Sequence, residues 1–183
     1  MARLYPGEAR GQLMVCRLRN NQWLRNGLIQ HNLIRPKGLV TPDVFYDIGA
    51  GLRPIGWHRK ARQVCVEPCV TYANGLRKAK YEVIEQTALE FMQSEDGIDF
   101  VYLLDVIEHM DKDEGEEVKR LIEAKVRRQA VIFTPLGFME QLDDGWGTEQ
   151  DIWQLHRSGW LPTEFEGWHC ADYARGFFAV LTK

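Results

Sequence analysis

The chain has 183 residues, of which 45% are hydrophobic and 27% are charged. This length and composition predict one globular domain and exclude disordered, collagen-like and disulfide-scaffolded proteins. No apolar run reaches the roughly 18 residues of a membrane span, and the Arg-containing N-terminus lacks the apolar core of a secretory signal. Four cysteines without a CxxC pair indicate free thiols, so the sequence predicts a cytoplasmic protein.

The net charge of −3 conceals an uneven distribution along the chain. Residues 1–80 carry 14 Lys and Arg against 4 Asp and Glu, whereas residues 81–183 carry 9 against 22. Such asymmetry is typical of a nucleic-acid or phosphate surface, or of two complementary faces of one fold. The charge distribution alone leaves both interpretations open.

Short apolar runs alternate with helical stretches, which predicts a mostly parallel sheet covered by helices. The first strands are expected at Val44–Ile48, Val64–Glu67, Tyr81–Ile84, Phe100–Leu104 and Ala130–Phe133. A last apolar run, Phe177–Leu181, is expected to form a closing hairpin or antiparallel edge with the stretch near Phe165–Trp168.

Helices are expected between these strands. The strongest is Asp113–Arg128, with acids in its first turn and bases in its last. Thr71–Lys80 is a weaker helix, and Gln22–Leu33 is a helix that begins after Asn20 or Asn21. We therefore expect a single domain over residues 1–183, with residues 1–40 as a helical arm or lid.

The sharpest motif is Asp47-Ile48-Gly49-Ala50-Gly51, at the end of the first predicted strand. Glycines there let the backbone turn tightly and approach a ligand closely. A dinucleotide-binding loop would carry a third glycine where Pro54 stands. A carboxylate before the first glycine repels a pyrophosphate but attracts the ammonium and sulfonium of S-adenosylmethionine, so the motif favours that cofactor. A strand-to-helix turn without a ligand is the alternative.

Glu67 follows the second predicted strand, 20 residues after Asp47. An acid at this distance can accept hydrogen bonds from both ribose hydroxyls of an adenosine. This geometry suits either cofactor class, and a solvated acid at a strand end is the alternative.

Six blocks follow one another between about residues 43 and 168: VFYDIGAGLRP, VCVEP, YEVIEQTALEF, VYLLDVIEHM, AVIFTPLGF and HRSGW. In this order and spacing they resemble the class I S-adenosylmethionine-dependent methyltransferases, specifically the small bacterial ones. The resemblance implies a Rossmann-like α/β sandwich whose seven-stranded sheet runs 3-2-1-4-5-7-6, mostly parallel with an antiparallel last strand.

The resemblance also implies roles for individual residues. Asp47, Gly49 and Gly51 would cradle the methionine moiety, and Glu67 would hold the ribose. Thr87 stands where the family normally places an acid for the adenine amino group, so the backbone of Ala88 is a second candidate for that contact. Asp105, at the end of the fourth strand, would lie beside the cofactor and the incoming nucleophile.

Methyl transfer to a hydroxyl benefits from a base whose pKa lies near neutrality. His109, just past the fourth strand, is the first candidate for a catalytic base, and His156 is the second. A helix-start residue that bonds to Glu108 or to backbone is the alternative interpretation of His109.

The acceptor is expected to be a small molecule, because the chain has little room for a separate recognition domain. A sugar or a lipid-linked intermediate would fit the same expectation. Basic residues could favour an anionic acceptor, such as a phosphate- or nucleotide-linked one; they are Arg17, Arg19, Arg25, Arg35 and Lys37. The aromatic residues Phe138, Trp146, Trp153 and Trp160 could hold a flat acceptor or simply cover the sheet edge.

The sequence predicts no metal site, because Asp143 and Asp144 have no third ligand and Cys65 and Cys69 have no His-x3–5-His partner. Nucleic acid as substrate is disfavoured, since the sequence has no RGG tract, no zinc finger and no Asn/Asp-Pro-Pro-aromatic tetrad after the fourth strand. A catalytically silent protein of the same fold, which binds adenosylmethionine or serves as a scaffold, is the alternative function.

Overall fold

The computed structural model describes residues 22–30, 42–58, 60–141 and 151–183. The strands within these ranges are β1 (Val44–Ile48), β2 (Arg62–Val66), β3 (Glu82–Ile84), β4 (Phe100–Leu104), β5 (Gln129–Pro135), β6 (His169–Tyr173) and β7 (Gly176–Thr182). They form one sheet in the order β3-β2-β1-β4-β5-β7-β6. Strands β1 to β5 are parallel, and β7 is antiparallel to β5 and β6. The predicted fold class and strand order are confirmed.

Helices flank this sheet on both faces. They are α1 (Gln22–Gln30), α2 (Val70–Lys78), α3 (Ala88–Ser94), α4 (Lys112–Lys125) and α5 (Asp151–Gln154), with 3-10 turns at Ile107–His109 and Pro162–Glu164. None of these described helices is long and apolar enough to cross a membrane. Helix α1 begins where the sequence predicted, but the rest of the expected arm at residues 1–40 lies outside the described residues.

The central strand β4 is buried at every position, as a run of five apolar residues predicts. Val101 and Leu103 belong to a core cluster on one face, which also contains residues of α3 and α4. Tyr102 belongs to a cluster on the other face, which includes Leu24 of α1. Side chains on both faces of the sheet therefore hold its strand ends in fixed positions.

The partner of β7 is not where the sequence placed it. Phe165 and Trp168 are buried in the core, but they lie in a turn in which Gly167 has φ +80°. The strand is instead β6, a polar edge strand whose side chains are largely exposed or half-buried. An edge strand buries few side chains, so it lacks the apolar run that indicates a buried strand.

Some strand bounds shift by one or two residues, the helices differ in where they end, and one helix was not predicted. Helix α4 stops at Lys125, because the backbone amides of Arg127 and Arg128 turn to the carbonyl oxygens of Ile98 and Asp99. Helix α3 was not predicted as a separate helix. It is short, and its start is fixed by a capping box in which the Thr87 hydroxyl accepts the amide hydrogen of Glu90.

Candidate functional site

A cavity of about 920 Å³ opens at the carboxyl ends of the parallel strands. Its wall contains the residues that follow β1, β2 and β4, the end of β5, and the segment from Ile152 to Arg157. Ligands of open α/β sheets bind at this edge, where the strand order reverses. All but one of the residues predicted to form the site line this cavity; they are Gly49, Gly51, Glu67, Thr87, Ala88, Asp105, His109 and His156.

The loop after β1 requires its glycines. Gly49 and Gly51 have φ values of +67° and +53°, in the left-handed region that disfavours other residues. A Cβ atom at Gly49 would lie 2.5 Å from Cγ2 of Val106. The loop backbone is therefore packed tightly against the segment after β4.

Asp47 is the predicted site residue that does not line the cavity. Its carboxylate accepts hydrogen bonds from the backbone amide of Ile55 at 2.8 Å and from Nε2 of Gln63 at 2.9 Å. The residue is only 3% exposed, and burial raises the pKa of its carboxyl from 3.8 to about 7. Asp47 thus supports the glycine loop from behind, while its predicted contact with a ligand stays a prediction.

Glu67 joins the second strand to the glycine loop. Its Oε2 accepts the amide hydrogen of Gly51 at 2.7 Å, and its Oε1 accepts that of Cys69 at 2.9 Å. Burial raises the pKa of this carboxyl despite both bonds. Each carboxylate oxygen can accept a further hydrogen bond while it keeps the one from the backbone. The predicted ribose contact of Glu67 stays a prediction.

Asp105 has a left-handed backbone conformation that residues other than glycine rarely adopt. Its φ is +56°, while its amide donates to the carbonyl of Phe133 at 2.9 Å. The residue is accessible from the open cavity, yet surrounding protein atoms desolvate its carboxyl and raise the pKa to about 6, against the opposing charge of Arg53. Strained residues that persist at a cavity are frequent at functional sites.

Thr87 already uses its hydroxyl within the capping box of α3. The Oγ1 atom accepts from the amide of Glu90 at 3.2 Å and lies 3.1 Å from Oε2 of the same residue, to which it donates. Its remaining lone pair can accept one more bond. The adenine contact predicted for Thr87 or Ala88 stays a prediction.

The two candidate bases lie against each other. The rings of His109 and His156 are edge to face, with 4.8 Å between their centroids. Burial, reinforced by His156, lowers the pKa of His109 to about 4, and burial also lowers that of His156. His109 is therefore neutral near pH 7 and a weaker base than the near-neutral one that the sequence predicted.

The sequence reasoning missed Glu108 as a member of the site. Glu108 is 2% exposed, and its Oε2 accepts a hydrogen bond from the Thr134 hydroxyl at 3.1 Å. Its Oε1 is buried without a hydrogen-bond partner among the described residues. Burial, followed by the charge of Asp105, raises the pKa of Glu108 well above its usual value. The sequence signal that could have found it is an acid next to a histidine, just past the apolar fourth strand.

The aromatic residues that the sequence suggested for acceptor binding have different surroundings in the structure. Trp160 is fully buried in a core cluster, which supports a structural role for this ring over acceptor binding, whereas Trp153 lines the cavity. Phe138 is 61% exposed and lies off the cavity wall. Trp146, Asp143 and Asp144 lie outside the described residues, as do all the predicted acceptor-binding bases except Arg25, which does not line the cavity.

Methyltransferases are among the solved structures that are similar in fold to this chain. A SAM-dependent methyltransferase from Archaeoglobus fulgidus has a TM-score of 0.60 and 14% identity, over 96% of this chain and 100% of its own. Magnesium protoporphyrin IX methyltransferase from Synechocystis PCC 6803 has a TM-score of 0.60 and 11% identity, over 98% and 86%. This chain has a methyltransferase fold.

Other comparisons limit what the fold implies. An O-methyltransferase family protein from Burkholderia thailandensis has a TM-score of 0.59 and 16% identity, over 90% of this chain and 58% of its own. The chain thus spans less than two thirds of that protein. The sequence matches no family model and no curated protein. At these identities the likeness establishes the architecture, and activity must be argued from the site.

Proposed function

We propose that this chain transfers a methyl group from S-adenosylmethionine to a small-molecule acceptor. The observation that carries the proposal is the cavity that Gly49, Gly51, Glu67 and Asp105 line together at the carboxyl edge of a methyltransferase-type sheet. The Synechocystis neighbour was solved with bound SAM.

The residues of the cavity fit that cofactor. Gly49 and Gly51 line the cavity and have no side chains, so a ligand can approach their backbone closely. The wall also carries the acids Glu67, Asp105 and Glu114, whose charges suit a ligand with an ammonium and a sulfonium. When bound, adenosylmethionine would supply a methyl group on a positively charged sulfur. The acceptor nucleophile would bond to the methyl carbon, and the sulfur would leave with the electron pair of the broken bond.

The chain's own residues would position the reactants and exclude water. Glu67, fixed by two backbone amides, would accept hydrogen bonds from the ribose hydroxyls. The Ala88 amide, in the first turn of α3, would donate to the adenine. Asp105 would accept a proton or a hydrogen bond from the acceptor, and His109 stays the candidate base.

The acceptor would contact the opposite part of the cavity. Met139, Ile152 and Trp153 present apolar surface there, with 37%, 61% and 36% of each residue exposed. Arg157 and Arg175 lie in the same wall. An acceptor with a flat or apolar body and an anionic group, such as a phosphate-linked one, would suit this combination.

The proposal can be tested with adenosylmethionine labelled in its methyl group. The purified protein is incubated with this compound and with anion-exchange fractions of a metabolite extract, and label in a new product is counted. We expect transfer with wild type and with Glu82→Ala, an exposed acid that pairs with Arg62. We expect at least about a 10-fold loss with Glu67→Ala, because the ribose contact and the loop support disappear together.

Binding without transfer to any fraction would favour the catalytically silent alternative. Equal transfer by wild type and Glu67→Ala would remove Glu67 from the site. Cytoplasmic location and a non-nucleic-acid acceptor belong to the same proposal; salt-sensitive binding to RNA or DNA would overturn the second.

A further inference from the structure

We propose that Glu108, His109 and His156 form a binding site for one divalent transition-metal ion at the acceptor side of the cavity. A carboxylate oxygen of Glu108 and one ring nitrogen of each histidine lie within 4.8 Å of one another. These three residues are called the triad below. All three line the cavity.

The hydrogen bonds of the two histidines leave the same nitrogen available on each ring. Nδ1 of His109 lies 3.1 Å from the carbonyl oxygen of Leu155, and Nδ1 of His156 lies 2.6 Å from that of Met139. A carbonyl oxygen only accepts, so each Nδ1 carries the hydrogen and each neutral Nε2 keeps its lone pair. Metal-binding histidines are oriented in this way, by a carbonyl on the ring nitrogen that does not bind the metal.

The third member of the triad has an unexplained oxygen. Oε2 of Glu108 is bound by the Thr134 hydroxyl, while Oε1 is buried without a hydrogen-bond partner among the described residues. A buried polar atom without a partner destabilises the folded protein. A metal ion beside the two available nitrogens would supply the missing partner.

The backbone holds the two histidines together although 47 positions separate them in the chain. The carbonyl oxygen of Glu108 accepts from the amides of Arg157 and Ser158, at 2.8 and 3.1 Å. The Ser158 hydroxyl donates to the carbonyl of Ile107 at 3.2 Å and accepts from Nε1 of Trp160 at 2.9 Å. These bonds fix the segment that carries His156 against the turn that carries Glu108.

The donor set selects the class of ion. Two imidazole nitrogens and one carboxylate suit Zn²⁺, Fe²⁺ or Co²⁺, whereas Mg²⁺ and Ca²⁺ prefer oxygen ligands. Ligands about 2.1 Å from such an ion lie roughly 3.4 Å apart in a tetrahedron. The ligand atoms of the triad lie within 4.8 Å of one another, so each pair would approach by at most about 1.4 Å when the ion binds. Three protein ligands leave a position open, which an acceptor oxygen in the cavity could fill if the proposed function holds.

The test titrates metal-stripped protein with Co²⁺ and follows its visible absorption, without adenosylmethionine. We expect one Co²⁺ per wild-type chain, displaced by Zn²⁺ and not by a large excess of Mg²⁺. Glu108→Gln and His156→Gln, which keep side-chain volume, should weaken binding at least about 10-fold. His169→Ala, at an exposed histidine on β6, should leave it unchanged. Circular dichroism checks that each variant is folded.

Absence of stoichiometric Co²⁺ binding by wild type would overturn the proposal. Binding that persists unchanged in both folded triad variants, or that His169→Ala abolishes, would also overturn it. Adenosylmethionine binding is measured separately on metal-stripped protein, so the failure of either proposal leaves the other standing.

Discussion

The carboxylate of Glu67 accepts a hydrogen bond from the backbone amide of Gly51, with 2.7 Å between the two atoms. This bond joins the end of β2 to the second glycine of the loop after β1, so the two predicted cofactor contacts form one unit. A second bond, from the amide of Cys69, ties the same carboxylate to the start of α2. The loop, the acid and the helix start are therefore expected to respond together to mutation.

Glu67→Gln tests this unit. A glutamine offers one acceptor oxygen where the protein presents two amide donors, so one amide would face an NH2 group. We expect the free energy of unfolding to fall by about 1–3 kcal/mol, measured by urea denaturation. Glu82→Gln, at an exposed acid of β3, serves as the control and should change it by less than about 0.5 kcal/mol. Equal effects of the two substitutions would contradict the account.

Gly49→Ala tests the close approach of the loop to Val106. The added Cβ would meet Val106 at 2.5 Å in a backbone with φ +67°. We expect a loss of about 3 kcal/mol, from the strained conformation and the overlap together. Gly167→Ala isolates the first contribution, because Gly167 has φ +80° and nothing within 4 Å of its added Cβ.

The double variant Gly49→Ala/Val106→Ala should recover part of the loss, because it removes the clashing methyl groups. A Gly49→Ala protein no less stable than Gly167→Ala would show that the contact with Val106 does not constrain the loop. Thermal and urea unfolding provide both comparisons.

The buried carboxyl of Asp47 should make the free energy of unfolding depend on pH. Its pKa is about 7 in the folded protein against 3.8 as the ordinary value, so the folded state holds an extra proton between these values. The contribution of this proton to the free energy of unfolding is fully present below about pH 4 and is lost as the pH rises through 7. Asp47→Asn, which can still accept from Ile55 and Gln63, should remove this dependence. Between pH 4 and pH 8, the free energy of unfolding of Asp47→Asn relative to that of wild type should increase by on the order of 4 kcal/mol.

Urea denaturation of both proteins across this pH range checks the prediction. Asp43→Asn, at an exposed carboxyl before β1, provides the control and should follow the wild-type profile. Parallel profiles for wild type and Asp47→Asn would mean that the buried carboxyl does not retain its proton.

Asp105→Gly tests whether the backbone of Asp105 is kept for function at the expense of stability. Glycine adopts φ +56° without strain, and the change also removes a desolvated carboxyl. We expect a gain of about 1 kcal/mol or more in unfolding free energy, together with loss of methyl transfer. Lys80→Gly, at φ +69° on the surface, should show only the backbone gain and full activity. A destabilised Asp105→Gly protein would argue against stored strain.

The sequence predicted the elements that bury apolar runs, and it missed those that do not. The bounds of β1 and β4 agree with the prediction. β4 is a short apolar run between Asp99 and Asp105, and β1 ends directly before the first glycine of the loop. The predicted partner of β7 was displaced to the buried aromatics Phe165 and Trp168, whereas the strand itself, β6, is polar and lies at the edge. An apolar run indicates a buried strand, and an edge strand such as β6 buries too few side chains to show one.

The candidate site divides in the same way. The glycine motif and Glu67 could be found because their spacing along the chain reflects two neighbouring parallel strands. The contact of His109 with His156 could not, because it depends on amides of the 157–158 segment that bond to the carbonyl of Glu108. The orphaned oxygen of Glu108 likewise depends on three-dimensional packing that no local pattern encodes.

The most direct test of the central claim is calorimetric titration of the wild-type protein with S-adenosylmethionine and with S-adenosylhomocysteine. The account predicts that both bind with one site per chain, and that Glu67→Gln weakens both at least about 10-fold while Glu82→Gln does not. Absence of binding of either compound to folded wild-type protein would contradict it.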